Sequence, residues 1–338
     1  MQLELRFIQL SDKPLKTQLV ETDQGVDTAS VSRTGVAILM CTYNGAPFLR
    51  EQLDSIGNQS YTDWTLFVSD DGSTDATRRI LADYQQRWGT QRLIVFDGPR
   101  RGFGKNFVSL LKRAEIRAHH YAFSDQDDVW FSDKLERGLV SMAKTAEQQP
   151  SLYCSRTRLI DAEGNVIGFS PLFSRAPSFK NALVQSLAGA NTMIMNEPAR
   201  EILLNLPDDA NVVAHDWLAY ILVTATGGTV LYDAEPTIDY RQHGGNLIGA
   251  STGFRSKVAR FIRMLSGQFA EWNESNLQIL KAMKPLLTRE NQLTLARFES
   301  SRHSDVLSRL SAIRKSGVYR QTVRGNISLI VAACLGRI

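Results

Sequence analysis

Between residues 36 and 145 the chain alternates short unbroken apolar runs with segments of helical spacing. Val36–Cys41 is one such run, and a strand without polar positions suits a parallel sheet covered on both faces. A turn follows at Thr42–Gly45, then Pro47 at a first helical position and the helically spaced FLREQLDSI. The unit recurs as WTLFVS with TRRILADYQQRW, LIVFD with GKNFVSLLKRAEI, and YAFS with SDKLERGLVSMAKTA. Ser73 or Asp75 can cap the second helix, and Ser132 or Asp133 the fourth. This order predicts an α/β fold: a Rossmann-like, mixed but mainly parallel sheet with helices on both faces.

Beyond Pro150 the rhythm changes. LYCSRTRLIDAEGNVIGFS reads as a hairpin around Glu163-Gly164-Asn165, and AHDWLAYILVTATGG as an apolar helix ended by Gly227 and Gly228. Two short strands are expected in TVLYDAEPTIDYRQHGGN, and only helices after Gly253. Three segments result: an arm or edge strand over 1–33, an α/β body over 34–250, and a helical region over 251–338. With 338 residues and 43% hydrophobic content, the chain can bury one large core. MQLELRFIQLSDK contains Glu4 and no long apolar stretch, so no secretory signal is expected. The nine-residue run Ile327–Leu335 falls short of the ~20 residues of a spanning helix. Cys41, Cys154 and Cys334 are too few and scattered for a disulfide framework, which fits a reducing cytosol.

The fourth apolar run stops at three carboxylates within four positions: Asp125, Asp127 and Asp128. Open α/β sheets bind ligands at the carboxyl ends of their strands. Hard oxygen ligands suit Mg²⁺ or Mn²⁺, which substrate phosphates commonly help to coordinate. Asp127 is therefore assigned as the main metal ligand, with Asp125 near ribose or metal and Asp128 behind them. A solvated acidic turn is the plainer alternative, but charges this close repel unless a cation or solvent intervenes. Asp70 and Asp71 end the second strand, where a carboxylate can accept from a base N–H or a ribose hydroxyl. They could equally belong to a capping cluster with Ser73 and Asp75, and Asp70 is expected to face the nucleotide.

Thr42, Tyr43 and Asn44 stand where a base or ribose would sit, although Asn-Gly is also a common turn. The glycines of RGFGKNF permit close approach to a donor, with Lys105 either touching it or solvated. Asp216 opens an apolar helix beside His215, either as its cap or as a general base whose basicity desolvation raises. In YRQHGGN, His243 could ligate metal or bond a leaving phosphate, and Arg241 could neutralise diphosphate charge. Cys41 reads as a small buried hydrophobe. No nucleophile elbow and no zinc-ligand spacing occur.

Taken together, CTYNG, VSDDGSTD, SDQDDVW, HDW and YRQHGGN resemble the family 2 glycosyltransferases of the GT-A fold, across about residues 34–250. Within that family they resemble bacterial rhamnosyltransferase-like enzymes that build surface polysaccharides. The resemblance implies a nucleotide-diphosphate sugar donor (dTDP- or UDP-linked, dTDP-L-rhamnose first), a divalent metal, and inversion by direct displacement. It makes 34–250 the catalytic region. Thr42, Tyr43, Asn44 and Asp70 would contact the nucleoside; Asp71, Lys105, Asp125, Gln126 and Arg241 are expected in the donor site from their own positions rather than from the resemblance. Asp125 and Asp127 would form the DxD metal site, Asp216 would be the base, and His243 would reach metal or diphosphate. Many relatives carry a QxxRW-like motif after the base helix; here YRQH stands later, which leaves Arg241 without a family role. A sugar-nucleotide pyrophosphorylase is the alternative enzyme, but TYNGAPF is not its Gly-rich, Lys-bearing loop. A non-catalytic nucleotide- or lipid-binding module is the third reading.

Charge is uneven. Residues 250–338 hold 15 Lys plus Arg against 5 Asp plus Glu, a net of +10, and the remainder holds 24 against 30. In GFRSKVARFIRMLSGQF, Phe254, Val258, Phe261, Ile262, Leu265 and Phe269 share one helical face, away from Arg255, Arg260 and Arg263. An interfacial helix over 254–270 on an anionic membrane is expected, and packing on the body is the alternative. Nucleic acid is not, because the aromatics lie apart from the basic residues. The expected location is cytoplasmic, on the inner face of the plasma membrane beside a glycan or lipid-linked acceptor.

Overall fold

The central strand β1 (Thr34–Thr42) is apolar throughout because its alternate residues enter two different cores. Ala37, Leu39 and Cys41 face one, and Val36, Ile38 and Met40 the other. In this computed structural model residues 34–244, 268–300, 302 and 305–338 are described. β1 pairs in parallel with β2 (Trp64–Asp70) on one side and β4 (Ala118–Ser124) on the other. β3 (Leu93–Asp97) extends the first side. Beyond β4 come β9 (Ile194–Asn196), antiparallel to both neighbours, then β6 (Ser151–Ser155) and β10 (Thr229–Asp233). The order β10-β6-β9-β4-β1-β2-β3 reverses direction between β1 and β4, and a crevice at such a switch point is where ligands bind.

Helices α1 (Leu49–Gly57), α2 (Thr77–Trp88) and α4 (Lys134–Met142) pack on the Val36 side. α3 (Phe103–Leu111), α5 (Phe179–Ala182), α6 (Glu197–Leu204) and α7 (His215–Ala225) cover the other. Four further helices, α8 (Gln268–Ala282), α9 (Arg289–Ser300), α10 (Val306–Ser316) and α11 (Val323–Cys334), share this second core through residues such as Leu280, Phe298, Ile313 and Leu329. A second sheet, ordered β5-β11-β7-β8, joins β5 (Val129–Trp130), β11 (Ile238–Arg241), β7 (Arg158–Ile160) and β8 (Val166–Phe169) beside the crevice.

The α/β fold expected from the sequence is the one observed. Two caps differ. No side-chain bond caps α2 at Ala76 or α4 at Asp133 in the usual way. Asp75 instead accepts from the Thr77 N–H at 2.9 Å. The expected arm over 1–33 and nearly all of the expected interfacial helix over 254–270 lie outside the described residues. Among the described residues no helix is long and apolar enough to cross a membrane. All three cysteines are free, and burial pushes the Cys41 thiol well up, as a small hydrophobe should behave.

Candidate active site

The loops after β1 and β4 flank the switch point and are clipped together by one side chain. Gln126 Oε1 accepts from the Tyr43 N–H at 2.9 Å, and Gln126 Nε2 donates to the Tyr43 carbonyl at 3.1 Å. A Cβ on Gly45 would lie 2.2 Å from Gln126 Oε1, so only glycine admits this approach. Tyr43 itself is 58% exposed. Gly45→Ala is expected to unclip the loops and weaken binding of a nucleotide sugar about tenfold or more, measurable by titration calorimetry.

Several expected donor contacts are occupied within the protein. Asp70 is buried and accepts from Thr42 Oγ1 (3.0 Å), the Ser73 N–H (3.1 Å), Ser73 Oγ and Arg78 Nε (2.7 Å). Burial pushes its carboxyl up, but those hydrogen bonds outweigh burial and hold it below the ordinary carboxylate value. Asp71 accepts the Arg100 and Gly102 N–H groups at 2.6 and 2.9 Å, shaping the loop before α3. Asn44, at φ 48°, takes Ser73 Oγ on its N–H and the Thr74 N–H on Oδ1. These bonds join the loops after β1 and β2 to one another and to the start of α3, where Lys105 is exposed.

Arg241 departs furthest from expectation. Its guanidinium is 2% exposed and donates to the carbonyls of Asp127 (3.1 Å) and Ala162 (3.0 Å) and to Glu51, while stacking 4.9 Å from the Phe48 ring. It ties the acidic loop to α1 and the second sheet rather than presenting its charge to a diphosphate. Its own N–H donates to Asp128 Oδ1 at 3.2 Å, and Asn191 Nδ2 donates to Asp128 Oδ2 at 2.6 Å. Asp128 is wholly buried, and burial with the charges of Asp125 and Asp127 pushes its carboxyl well up. Asn191 was not singled out from the sequence, since a lone asparagine in GAN carries no pattern. Asn191→Ala leaves a buried acceptor unpaired and is expected to cost about 1–3 kcal/mol, read as a lower urea midpoint.

The remaining carboxylates converge. Asp127 Oδ2 lies 2.9 Å from His243 Nε2, whose ring packs 4.7 Å from Phe48. Asp125 is partly exposed yet closely surrounded, and its carboxyl rises to about 7 through burial and the charges of Asp127 and Asp216. Asp216, in the first turn of α7, is pushed up to about 6 by burial while Oδ1 accepts the Trp217 N–H at 2.6 Å. Among the described residues no three acidic, histidine or cysteine side chains form a metal cage by themselves. The expected trio therefore resolves into Asp127 with His243, and Asp125 beside them as a neighbouring charge.

His215 turns away from this cluster. It stacks on Phe107 at 4.0 Å and meets Phe123 edge-on at 5.1 Å, with both ring nitrogens buried and without a hydrogen-bond partner. Burial drives its imidazole down to about 3 from 6.5. The unfolded chain thus binds the proton first, so stability is full above pH 6.5 and declines as pH falls toward 3. His215→Phe keeps the stack and removes this acid dependence. The variant is expected to gain more stability over the parent at pH 5 than at pH 7.5, measured as urea midpoints.

Comparison with known proteins shows the family of the chain. Residues 37–203 match the profile of glycosyl transferase family 2. The chain is 30% identical over 232 residues to the dTDP-rhamnosyl transferase RfbG of Shigella flexneri, covering 65% of this chain and 77% of that one. It is 33% identical over 108 residues to a putative teichuronic acid biosynthesis glycosyltransferase, TuaG, of Bacillus subtilis, covering 32% of this chain and only 41% of TuaG. A crystal structure of S. aureus TarS in complex with UDP-GlcNAc superposes with a TM-score of 0.51 at 15% identity, over 90% of this chain and 88% of that one. The chain belongs to glycosyl transferase family 2 and is a rhamnosyltransferase-like glycosyltransferase. That membership decides against the pyrophosphorylase and the non-catalytic module.

Proposed function

We propose that this glycosyltransferase moves a sugar, with inversion, from a nucleotide-diphosphate donor to a hydroxyl of a cell-surface glycan or lipid-linked acceptor. L-rhamnose from dTDP-L-rhamnose is the first candidate, because the Shigella relative is named a dTDP-rhamnosyl transferase. The observation that carries the reading is the pairing of Asp127 Oδ2 with His243 Nε2 at 2.9 Å just beyond β4, at the switch point of the sheet, with Asp216 near enough for its charge to act on Asp125.

The residues fit a divalent cation, Mg²⁺ or Mn²⁺. Asp127 and His243 would hold it, a hard oxygen with one imidazole; Asp125 is pushed up first by burial and then by the charges of Asp127 and Asp216, and a cation would relieve that second part. When bound, the cation would supply charge neutralisation to the departing diphosphate. The chain's own part is positional. The clipped loops hold Tyr43 where the nucleoside would lie, and the Trp217 N–H fixes the orientation of Asp216. Asp216 then accepts the acceptor's proton while the acceptor oxygen bonds the anomeric carbon and the bond from that carbon to the diphosphate breaks. The products are the inverted glycoside and a nucleoside diphosphate. One base suffices, unlike the paired carboxylates of glycosidases.

The proposed location is the cytoplasmic face of the plasma membrane, where a lipid-linked acceptor would be met. The donor reading is tested by thermal denaturation against a panel of dTDP-, UDP- and GDP-sugars with and without Mg²⁺ or Mn²⁺. Metal-dependent stabilisation by one donor class is expected; no stabilisation by any of them would overturn the reading.

A further inference from the structure

Helix α11 is apolar on two opposite sides. Leu329, Ala332 and Ala333 are buried in the core shared with the catalytic sheet. On the other side Val323, Ile327, Ile330 and Val331 are 77%, 57%, 51% and 37% exposed, and Leu335 just beyond the helix is 55% exposed. Spacings of four, three and one residues place the first four on one continuous stripe about 100° wide. A helix apolar on both sides is normally covered on both, and at 12 residues this one is far too short to span a bilayer.

The surrounding charge bears on what could cover the stripe. Residues 305–338, which form the hairpin of α10 and α11, carry six Lys or Arg (Arg309, Arg314, Lys315, Arg320, Arg324 and Arg337) against Asp305 alone. Arg314, Lys315, Arg324 and Arg337 are exposed. Arg309 donates to the Ala333 carbonyl at 2.7 Å, so the start of α10, with Leu307 80% exposed, lies beside the end of α11. Two copies of such a hairpin would bring like charges together. The stripe and Leu335 also give only five exposed apolar residues, far fewer than the roughly 20–30 residues a side of a stable dimer interface. An anionic lipid surface matches both features, because it accepts an apolar helix face and attracts the flanking cations.

We infer that the exposed face of α11, with its basic flanks, is the surface by which this enzyme docks on an anionic membrane. This rests on the lipid-linked-acceptor reading for its purpose, and it gives that reading a defined contact surface. The hairpin is joined firmly to the catalytic region. Asn181 Nδ2 donates to the Tyr319 carbonyl at 2.9 Å, Ser178 Oγ lies 2.9 Å from Tyr319 Oη, and Tyr220 of α7 donates to the Ser178 carbonyl at 3.2 Å. Docking through α11 would thus hold α7, with Asp216 in its first turn, at a fixed height over the bilayer that carries the acceptor.

The test uses the full chain and vesicles of phosphatidylcholine with or without about one third phosphatidylglycerol. The parent protein is expected to sediment with the anionic vesicles and much less with the neutral ones, and raising the salt should release it. The double variant I327E/I330E, altered only at exposed positions, is expected to bind anionic vesicles at least tenfold more weakly while keeping its melting temperature and its donor-induced stabilisation. R324E/R337E should weaken binding severalfold. Equal binding by parent and I327E/I330E would overturn the proposal. So would equal binding to neutral vesicles, or a parent dimer in sedimentation velocity that the double variant converts to monomer. Vesicle binding needs no donor, so its failure would leave the transferase reading standing, and failure of the donor panel would leave the docking surface standing.

Discussion

Asp127→Ala is expected to lower kcat by roughly 10³-fold or more, corresponding to loss of the several kcal/mol a metal contributes to a charged transition state. The prediction is specific because Asp127 and His243 face each other at 2.9 Å with Asp125 close by. Removing Asp127 takes away the carboxylate that faces His243. The same variant should lose the Mg²⁺- or Mn²⁺-dependent part of donor stabilisation in thermal denaturation. It should remain folded, since the loop is held by Arg241, Asn191 and Gln126 through atoms other than the Asp127 carboxylate. A variant that kept full activity and full metal-dependent stabilisation would remove Asp127 from the site.

Asp216→Asn is expected to lower kcat by about 10²–10⁴-fold, the usual contribution of a positioned general base, with donor affinity nearly unchanged. The amide preserves shape and the Trp217 contact but cannot take a proton. In the parent enzyme the carboxyl stands at about 6 because burial disfavours its charge. A base works only when deprotonated, so kcat should fall about tenfold per pH unit below 6 and level off above it. The residual activity of the asparagine variant should lack that acidic limb. An unchanged limb in the variant would assign the titration, and the base, to another group.

The pattern of strands and helices was legible because it depends on local rules. Val36–Cys41, Trp64–Asp70 and Tyr121–Ser124 announce strands by length and apolarity alone, and the loops that follow them fall at the carboxyl ends of a parallel sheet. The pairing of Gln126 with Tyr43 was less accessible, because nothing in a glutamine between two aspartates marks it as a clip across 83 residues. Asn191 and Lys134 were missed for a similar reason. Lys134 is wholly buried and pushed down to about 7 by burial, yet in the sequence it looks like any lysine at a helix start.

What the sequence determined by itself was the parallel run of β1 to β4 and the placing of acidic residues at the ends of β2 and β4, because hydrophobic period and strand ends are properties of neighbouring residues; the antiparallel β9 and the place of β6 in the same sheet came only with the structure. Only the tertiary structure divided the carboxylates by task. Asp70 and Asp71 have their oxygens taken up by Ser73, Arg78 and the loop before α3. Asp128 is enclosed by Asn191 and Arg241, whereas Asp127 faces His243 and Asp125 lies within reach of the charges of Asp127 and Asp216. The same decision turned Arg241 from an expected diphosphate partner into the tie between α1, the acidic loop and the second sheet. The physical reason is that a charged side chain's role is fixed by the donors, acceptors and charges around it in space, and these come from residues up to 190 positions away.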